Sequence, residues 1–147
     1  MAVYTKIKTN DVLPLFDKMG EIQSIEGIKE GVENTNYLIT LKSQKKFIFT
    51  IFEKRTKGSD LPFFNNAMLE FNQSGINCPS AVIINNKSIF EIQNKPCAIY
   101  SFIEGKQVSQ PNKENLGSLA DTTSKMHEIG LKSNLRRPND MLIPTWK

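Results

Sequence analysis

The sequence has little of what metal centres, disulfide frameworks and membrane spans require. Its 147 residues include one histidine and two cysteines, Cys78 and Cys97, and neither cysteine lies near another cysteine or a histidine at metal-ligand spacing. No apolar run approaches the roughly 20 residues that cross a bilayer, and the N-terminus has no apolar stretch of signal-peptide length. We therefore expect a cytoplasmic protein without a membrane partner, whose two cysteines are buried structural thiols.

Concentrated positive charge is also missing. The net charge is +4, but the basic residues are spread along the chain, and groups such as Lys54-Arg55 are too short to track a phosphate backbone. This pattern predicts no nucleic-acid partner. His127, the single histidine, falls near the end of a predicted helix and has no nucleophile motif beside it, which favours a surface or partly packed histidine over a catalytic base.

What is present is a regular succession of short apolar segments. Segments rich in β-branched and aromatic residues are separated by short polar turns, which predicts hairpin strands. Apolar residues at helical spacing predict helices between them. The predicted strands are 21–29, 37–41, 46–52, 81–84, 88–92 and 97–102, and the predicted helices are 9–20, 60–75 and 114–129. Because short turns rather than crossover helices join the strands, we expect an α+β fold with an antiparallel sheet of about five strands and a packed helix.

Two segments could bind a ligand. The turn from Gly27 to Tyr37 contains Gly31, and glycines let backbone amides approach phosphate oxygens closely. It is not a P-loop or a dinucleotide fingerprint, so an ordinary hairpin turn is the favoured interpretation of this segment taken alone. The second segment, Tyr100 to Gly105, is a strand that ends in a glycine-terminated linker. Such a linker could offer backbone donors and acceptors to a purine edge, or it could be a plain loop.

Taken in order, several strings resemble one family. GIKEGVENTNYLI, FIFTIFEKR, DLPFF, GINCPSAV, YSFIEGK and LRRPND resemble the N-terminal part of homoserine kinases with the aminoglycoside phosphotransferase and choline kinase fold. The resemblance implies a protein-kinase-like fold, with an ATP-binding N-terminal lobe at 1–104 and, at 105–147, the hinge exit and the start of a helical C-terminal lobe. It also implies transfer of the ATP γ-phosphoryl group to L-homoserine, a step towards threonine, with Mg²⁺.

The resemblance assigns roles to particular positions. The phosphates would be covered by the loop residues Gly31, Val32, Glu33, Asn34 and Asn36. Thr50 of the third strand would face the cleft. Adenine would be faced by the linker residues Ser101, Phe102 and Ile103. The family's catalytic Asp and Asn and its metal-binding Asp are expected beyond Lys147. The chain alone is therefore expected to be inactive.

Two positions depart from the general kinase pattern. The third strand should carry a Lys or Arg that pairs with the α- and β-phosphates, but the inward position holds Thr50. Lys54 or Arg55, at the end of the strand, are candidates to replace it. Phe63-Phe64 occupies the region of the expected acidic partner, which leaves Asp60 and Glu70 as alternatives.

Other functions stay open. The chain could belong to another small-alcohol kinase of the same superfamily, or it could be a non-catalytic nucleotide-binding or interaction module. The helix from Glu114 to Ile129 should present an apolar face to the absent lobe, so self-association through that face is a further expectation.

Overall fold

The computed structural model describes residues 3–139, which form an α+β fold around one five-stranded antiparallel sheet. The strand order is β1-β2-β3-β5-β4. The strands are β1 (Ile22–Ile28), β2 (Thr35–Leu41), β3 (Lys46–Ile51), β4 (Phe90–Ile92) and β5 (Lys95–Ser101), and the helices are α1 (Thr9–Phe16), α2 (Leu61–Gln73) and α3 (Lys113–Lys132). A 3₁₀ turn, Gly58–Asp60, precedes α2. The predicted fold class is therefore confirmed.

The sheet has two different faces because successive side chains of a strand point to opposite sides. One face, the α1 face, carries Tyr37, Ile39, Phe49 and Ile99, which are buried in the main core. Val12 and Phe16 of α1 pack on it, and the rings of Phe16 and Phe47 meet edge to face with centroids 6.0 Å apart. The amide of Lys8 donates to Asp11 Oδ2 at 2.7 Å, which holds the first turn of α1.

The opposite face, the α2 face, has a smaller core. Phe52 and Ala98 pack there against Leu61 of α2. Tyr100 joins this cluster and donates its hydroxyl hydrogen to Asn65 Oδ1 of α2 at 2.9 Å. The α2 helix thus covers the side of the sheet formed by the end of β3 and by β5.

One predicted strand is wrong. Residues 81–84 form only isolated bridges, in which Ala81 pairs with Tyr100 and Ile84 pairs with Lys87. The chain turns sharply at Asn85 and Asn86, whose φ angles are 51° and 61°, and this left-handed turn stops the segment from extending along β5. The strand predicted at 88–92 is likewise shorter, because β4 begins at Phe90.

The third helix leaves the sheet and is almost entirely exposed. Asn112 caps it, since Asn112 Oδ1 accepts from the amide of Asn115 at 2.8 Å. No residue of α3 is buried, and the predicted apolar face is open, with Leu116 56% and Leu119 63% exposed. Within residues 3–139, none of the helices has the length and apolarity needed to cross a bilayer.

Candidate functional site

The loop between β1 and β2 is held from two sides. Gly31 has a φ of 104°, a backbone conformation that a side chain would strain. The next residue, Val32, is 82% exposed, but its carbonyl accepts a hydrogen bond of 3.0 Å from the Tyr4 hydroxyl. Glu33 forms a 2.5 Å ion pair with Arg55, which follows β3. The predicted glycine turn is therefore a loop with defined contacts on both flanks.

Two of the predicted site residues meet directly. Asn36 and Thr50 lie opposite each other in the β2–β3 ladder, and the Thr50 hydroxyl donates to Asn36 Oδ1 at 2.8 Å. Both lie on the α2 face of the sheet, with Ala98 as the next partner of Thr50. The side chain of Thr50 is nearly buried. This position therefore supplies a polar, uncharged contact and no cation.

Asn34 has an unmatched acceptor. Its Oδ1 is buried and makes no hydrogen bond within the described part of the chain, although the residue as a whole is only half-buried. A buried carbonyl oxygen without a partner is costly. A ligand that donates a hydrogen bond, or a bound cation, would satisfy it.

In the linker after β5, some of the polar groups already form hydrogen bonds within the fold. The amide of Ser101 donates to the Ser80 carbonyl at 2.9 Å, and Ser101 Oγ accepts from the Ser80 amide at 2.9 Å. The amides of Phe102 and Ile103 donate no backbone hydrogen bond within residues 3–139. Of the three predicted linker residues, Phe102 and Ile103 therefore keep free backbone donors, whereas the amide and hydroxyl of Ser101 are used by the fold.

An apolar strip connects the loop to the linker. Leu38 of β2 and Ile48 of β3 are register partners on the α2 face, and Ile48 also faces Tyr100 of β5. Leu38 and Ile48 are half-buried and belong to neither core cluster. The strip lies between Thr50 and the linker, since Phe47, opposite Ser101, is three positions before Thr50. At about 3.3 Å per residue, it spans about 10 Å along the strand.

The candidate cations and acids have different surroundings. Lys54 lines a cavity of about 690 Å³ together with Val32 and Glu33, and it makes no ion pair or hydrogen bond in the described residues. Arg55 is paired with Glu33. Asp60 bonds Arg137 at 2.8 Å, while Glu70 lies on the surface beside the end of α3. Lys54 is thus the uncommitted cation of the two that could replace a strand lysine.

A buried polar cluster at the base of the loop was not predicted. Glu53 is 8% exposed and forms an ion pair with Lys95. Its Oε1 accepts hydrogen bonds from the hydroxyls of Thr35 at 2.6 Å and Thr5 at 2.7 Å. Burial alone would raise the pKa of Glu53, but these hydrogen bonds and the charge of Lys95 outweigh it and lower the pKa to about 2. The signal in the sequence, an acid directly after an apolar strand, is too common to identify such a cluster.

The remaining predicted residues are unremarkable in chemistry. Cys97 is fully buried, and burial raises the pKa of its thiol to about 12. Cys78 is only half-buried, which corrects the expectation of two buried thiols, and its Sγ lies 3.2 Å from the Met68 carbonyl. His127 is exposed on α3. No group of three or more metal-ligating side chains occurs within the described range.

The arrangement of sheet, α2 and linker is the fold of the N-terminal lobe of small-molecule kinases. Amicoumacin kinase hAmiN, solved with AMP-PNP, Ca²⁺ and Ami, matches 90% of this chain and 42% of its own length with a TM-score of 0.73 and 17% identity. Spectinomycin phosphotransferase APH(9)-Ia, solved with ADP and spectinomycin, matches 91% of this chain and 40% of its own length with a TM-score of 0.66 and 13% identity. At such identities the likeness shows the fold alone.

Sequence comparison gives the family. The chain belongs to the phosphotransferase enzyme family, whose model matches residues 24–146. Among curated relatives, the homoserine kinases of Bartonella tribocorum and Brucella anthropi are each 37% identical, over 150 and 151 residues respectively. The matches cover 100% of this chain and 47% and 46% of those proteins. The chain thus spans about half the length of the curated relatives it matches, and the predicted resemblance to the N-terminal part of homoserine kinases is confirmed.

Proposed function

We propose that this chain is the nucleotide-binding half of a kinase that phosphorylates the side-chain hydroxyl of L-homoserine with ATP. The observation that carries the nucleotide-binding part is the apolar strip of Leu38 and Ile48. The strip is left uncovered by the two core clusters, and it connects a linker with free amides to a glycine-containing loop. An apolar surface with a few polar groups at its ends is typical of a cofactor site.

The polar groups at the two ends of the strip suit a nucleotide. The free amides of Phe102 and Ile103 would donate to the purine edge, and Leu38 and Ile48 would contact the face of its ring. The loop from Gly31 to Asn36 would lie over the phosphates. The strip of about 10 Å is a length that an extended nucleotide can cover. ATP, when bound, supplies the phosphoryl group.

The charge on the phosphates needs compensation from outside β3. The central position of the strand holds the uncharged Thr50, whose hydroxyl donates to Asn36, so no cation projects from there. Lys54 lines the cavity beside the loop and forms no ion pair within residues 3–139, so we assign it the phosphate-neutralising role. The buried Oδ1 of Asn34 is a candidate acceptor for a donor of the ligand or for a cation that accompanies it.

Binding can be tested on the chain itself. Isothermal titration with AMP-PNP and Mg²⁺ should show saturable binding, and Ile48→Asp should weaken it at least about tenfold, because a charge placed against the base must lose its hydration. Ile83→Asp is the matched control, since Ile83 is 69% exposed outside the strip. Equal affinity of the two variants for AMP-PNP would show that the nucleotide does not bind at the strip.

The acceptor of the phosphoryl group is inferred from the substrate named for the relatives. Homoserine is the substrate named for curated proteins that match the whole chain at 37% identity, which supports a role towards threonine biosynthesis. The catalytic groups and metal ligands would come from the other half of the kinase, with 1–104 as the ATP-binding lobe and 105–147 as the start of the second lobe. The test is phosphorylation of homoserine by the protein encoded by the complete reading frame with Mg²⁺ and ATP. Turnover of choline or an aminoglycoside instead would indicate another small-alcohol kinase.

A second candidate is a nucleotide-binding module without catalysis. It is favoured by one observation, the uncharged Thr50–Asn36 pair at the position where kinases of this fold class are expected to hold a lysine. The same reading-frame product decides between the two candidates. Nucleotide binding without transfer to any alcohol would support the module.

A further inference from the structure

Four segments of the chain meet in the polar cluster of Thr5, Thr35, Glu53 and Lys95. Thr5 belongs to the N-terminal segment, Thr35 opens β2, Glu53 follows β3 and Lys95 opens β5. Lys95 Nζ donates to Thr5 Oγ1 at 2.7 Å and also bonds Glu53 Oε2. The cluster therefore links the ends of three strands to the segment that precedes α1.

Thr35 has the central place in this cluster. Its hydroxyl donates to Glu53 Oε1 at 2.6 Å and accepts from the amides of Tyr4 at 2.9 Å and Thr5 at 3.1 Å. A hydroxyl has one donor and two acceptor sites, so this one is fully used. Thr35 is also completely buried. Its position and orientation are consequently fixed by three hydrogen bonds that a valine could not make.

The cluster lies directly beneath the loop that we assign to the phosphates. Thr35 stands between Asn34, with its unmatched Oδ1, and Asn36, which accepts from Thr50. Tyr4, whose amide bonds Thr35, also holds the loop by its hydroxyl bond to the Val32 carbonyl. Tyr4 therefore holds the segment from Val32 to Thr35 at both of its ends.

The ion pair of this cluster is half-buried, since the Glu53 side chain is 8% exposed and that of Lys95 is 36% exposed. Such a pair adds little stability by itself, because desolvation offsets much of the attraction between the charges. Its geometric requirements can instead select one arrangement of the groups around it. Here the groups that it fixes are those at the root of the loop.

We propose that the Thr5–Thr35–Glu53–Lys95 cluster is a positioning site that sets the loop from Gly31 to Asn36 for the nucleotide phosphates. The cluster includes neither residue of the apolar strip, and Thr35 joins it directly to the loop. Glu53 and Lys95 also line the cavity that Lys54 lines beside the loop. This inference rests on the proposed function for the identity of the ligand, but the fixed loop is a property of the chain without ligand.

The central test compares Thr35→Val with Thr35→Ser. Valine keeps the shape and removes the hydroxyl, whereas serine keeps it. Hydrogen exchange at the root of the loop should be about tenfold faster in Thr35→Val than in the wild type, a factor that corresponds to the loss of one or two hydrogen bonds. The reporting amides are those of Tyr4 and Thr5, which donate to the Thr35 hydroxyl, and those of Thr35 and Asn36 at the start of β2. Thr35→Ser should restore slow exchange. The amides at the centre of β2 and β3 should exchange equally slowly in all three proteins.

A second pair of variants addresses the charges. Lys95→Met should accelerate exchange in the same loop, while Lys42→Met is the control, because Lys42 forms a comparable ion pair of 2.5 Å with Glu21 at an exposed position. Uniformly faster exchange through the whole sheet in Lys95→Met and Thr35→Val would show a general stabilising role and overturn the proposal. So would unchanged exchange in the loop.

Affinity for AMP-PNP separates this inference from the proposed function. If the wild type binds AMP-PNP, Thr35→Val binds it about tenfold more weakly and Thr35→Ser restores the affinity, then both the nucleotide assignment and the positioning role are supported. If the wild type shows no binding but the loop is selectively loosened in Thr35→Val, the positioning role stands and the nucleotide assignment fails. Binding that is equal in all variants would overturn the positioning role.

Discussion

Arg137 donates a hydrogen bond from Nη2 to Asp60 Oδ2 at 2.8 Å, across 77 positions of sequence. Its guanidinium also lies 5.3 Å from the ring centroid of Phe64 in α2. Both partners of the ion pair are about three-quarters buried. The segment after α3 is thereby fastened to the start of α2, the helix that covers one face of the sheet.

This contact predicts a loss of stability when Asp60 is neutralised. Asp60→Asn should lower the free energy of unfolding by about 1–3 kcal/mol, because it removes a charged partner from a guanidinium that is largely shielded from water. Urea unfolding measures the change. Glu104→Gln is the control, since the Lys46–Glu104 pair is exposed and should contribute at most about 1 kcal/mol. Equal losses in the two variants would contradict the prediction.

The low pKa of Glu53 predicts a stability that depends on acid. Its pKa is about 2 in the folded chain against an ordinary value of 4.5, so its contribution is complete above about pH 4.5 and is lost as the pH falls towards 2. The charged groups around it are Lys95, Lys54 and Arg55, with Glu33 on the loop.

The check is the free energy of unfolding between pH 5 and pH 2.5 in the wild type and in Glu53→Gln. The variant should be less stable at pH 5, and its stability should fall less steeply with acid. A parallel fall in both proteins would assign the acid sensitivity to other carboxylates.

The two cysteines should differ in reactivity. Burial raises the pKa of the Cys97 thiol to about 12, and thiolate is the reactive form. We expect an aromatic disulfide reagent at pH 8 to modify the half-buried Cys78 first and Cys97 only on unfolding. Cys78→Ser should remove the early phase. Early modification in that variant would mean that β5 opens readily.

The exposed face of α3 should promote self-association. Leu116, Leu119 and Met126 lie on one side of the helix and are 56%, 63% and 38% exposed. Sedimentation of the chain should show concentration-dependent dimers or larger species, and Leu119→Glu should shift the equilibrium to monomer. Lys113→Glu, at the start of the same helix, is the control for charge. A monomer at all concentrations would contradict this prediction.

The sequence predicted the elements whose signals are local. Segments rich in β-branched and aromatic residues predicted β2 and β3, and the polar links between the later predicted strands turn at 85–86 and 93–94, where four residues have positive φ angles. The segment 81–84 is also rich in β-branched residues but forms only two isolated bridges, since strand pairing depends on the partner available as well as on the residues themselves. The family strings located the loop and the linker.

The sequence by itself determined the fold class, the order of the elements and the family, because periodicity, turn residues and ordered motifs are written along the chain. Only the tertiary structure decided which groups are available to a ligand. It showed that the Ser101 amide is used by Ser80, that Thr50 is bonded to Asn36, and that, in the part of the chain that the structure describes, Arg55 is paired while Lys54 is not. It also assembled Thr5, Thr35, Glu53 and Lys95, which are up to 90 positions apart. The partners of a polar group are set by distance in space, and no local pattern in the chain encodes that distance.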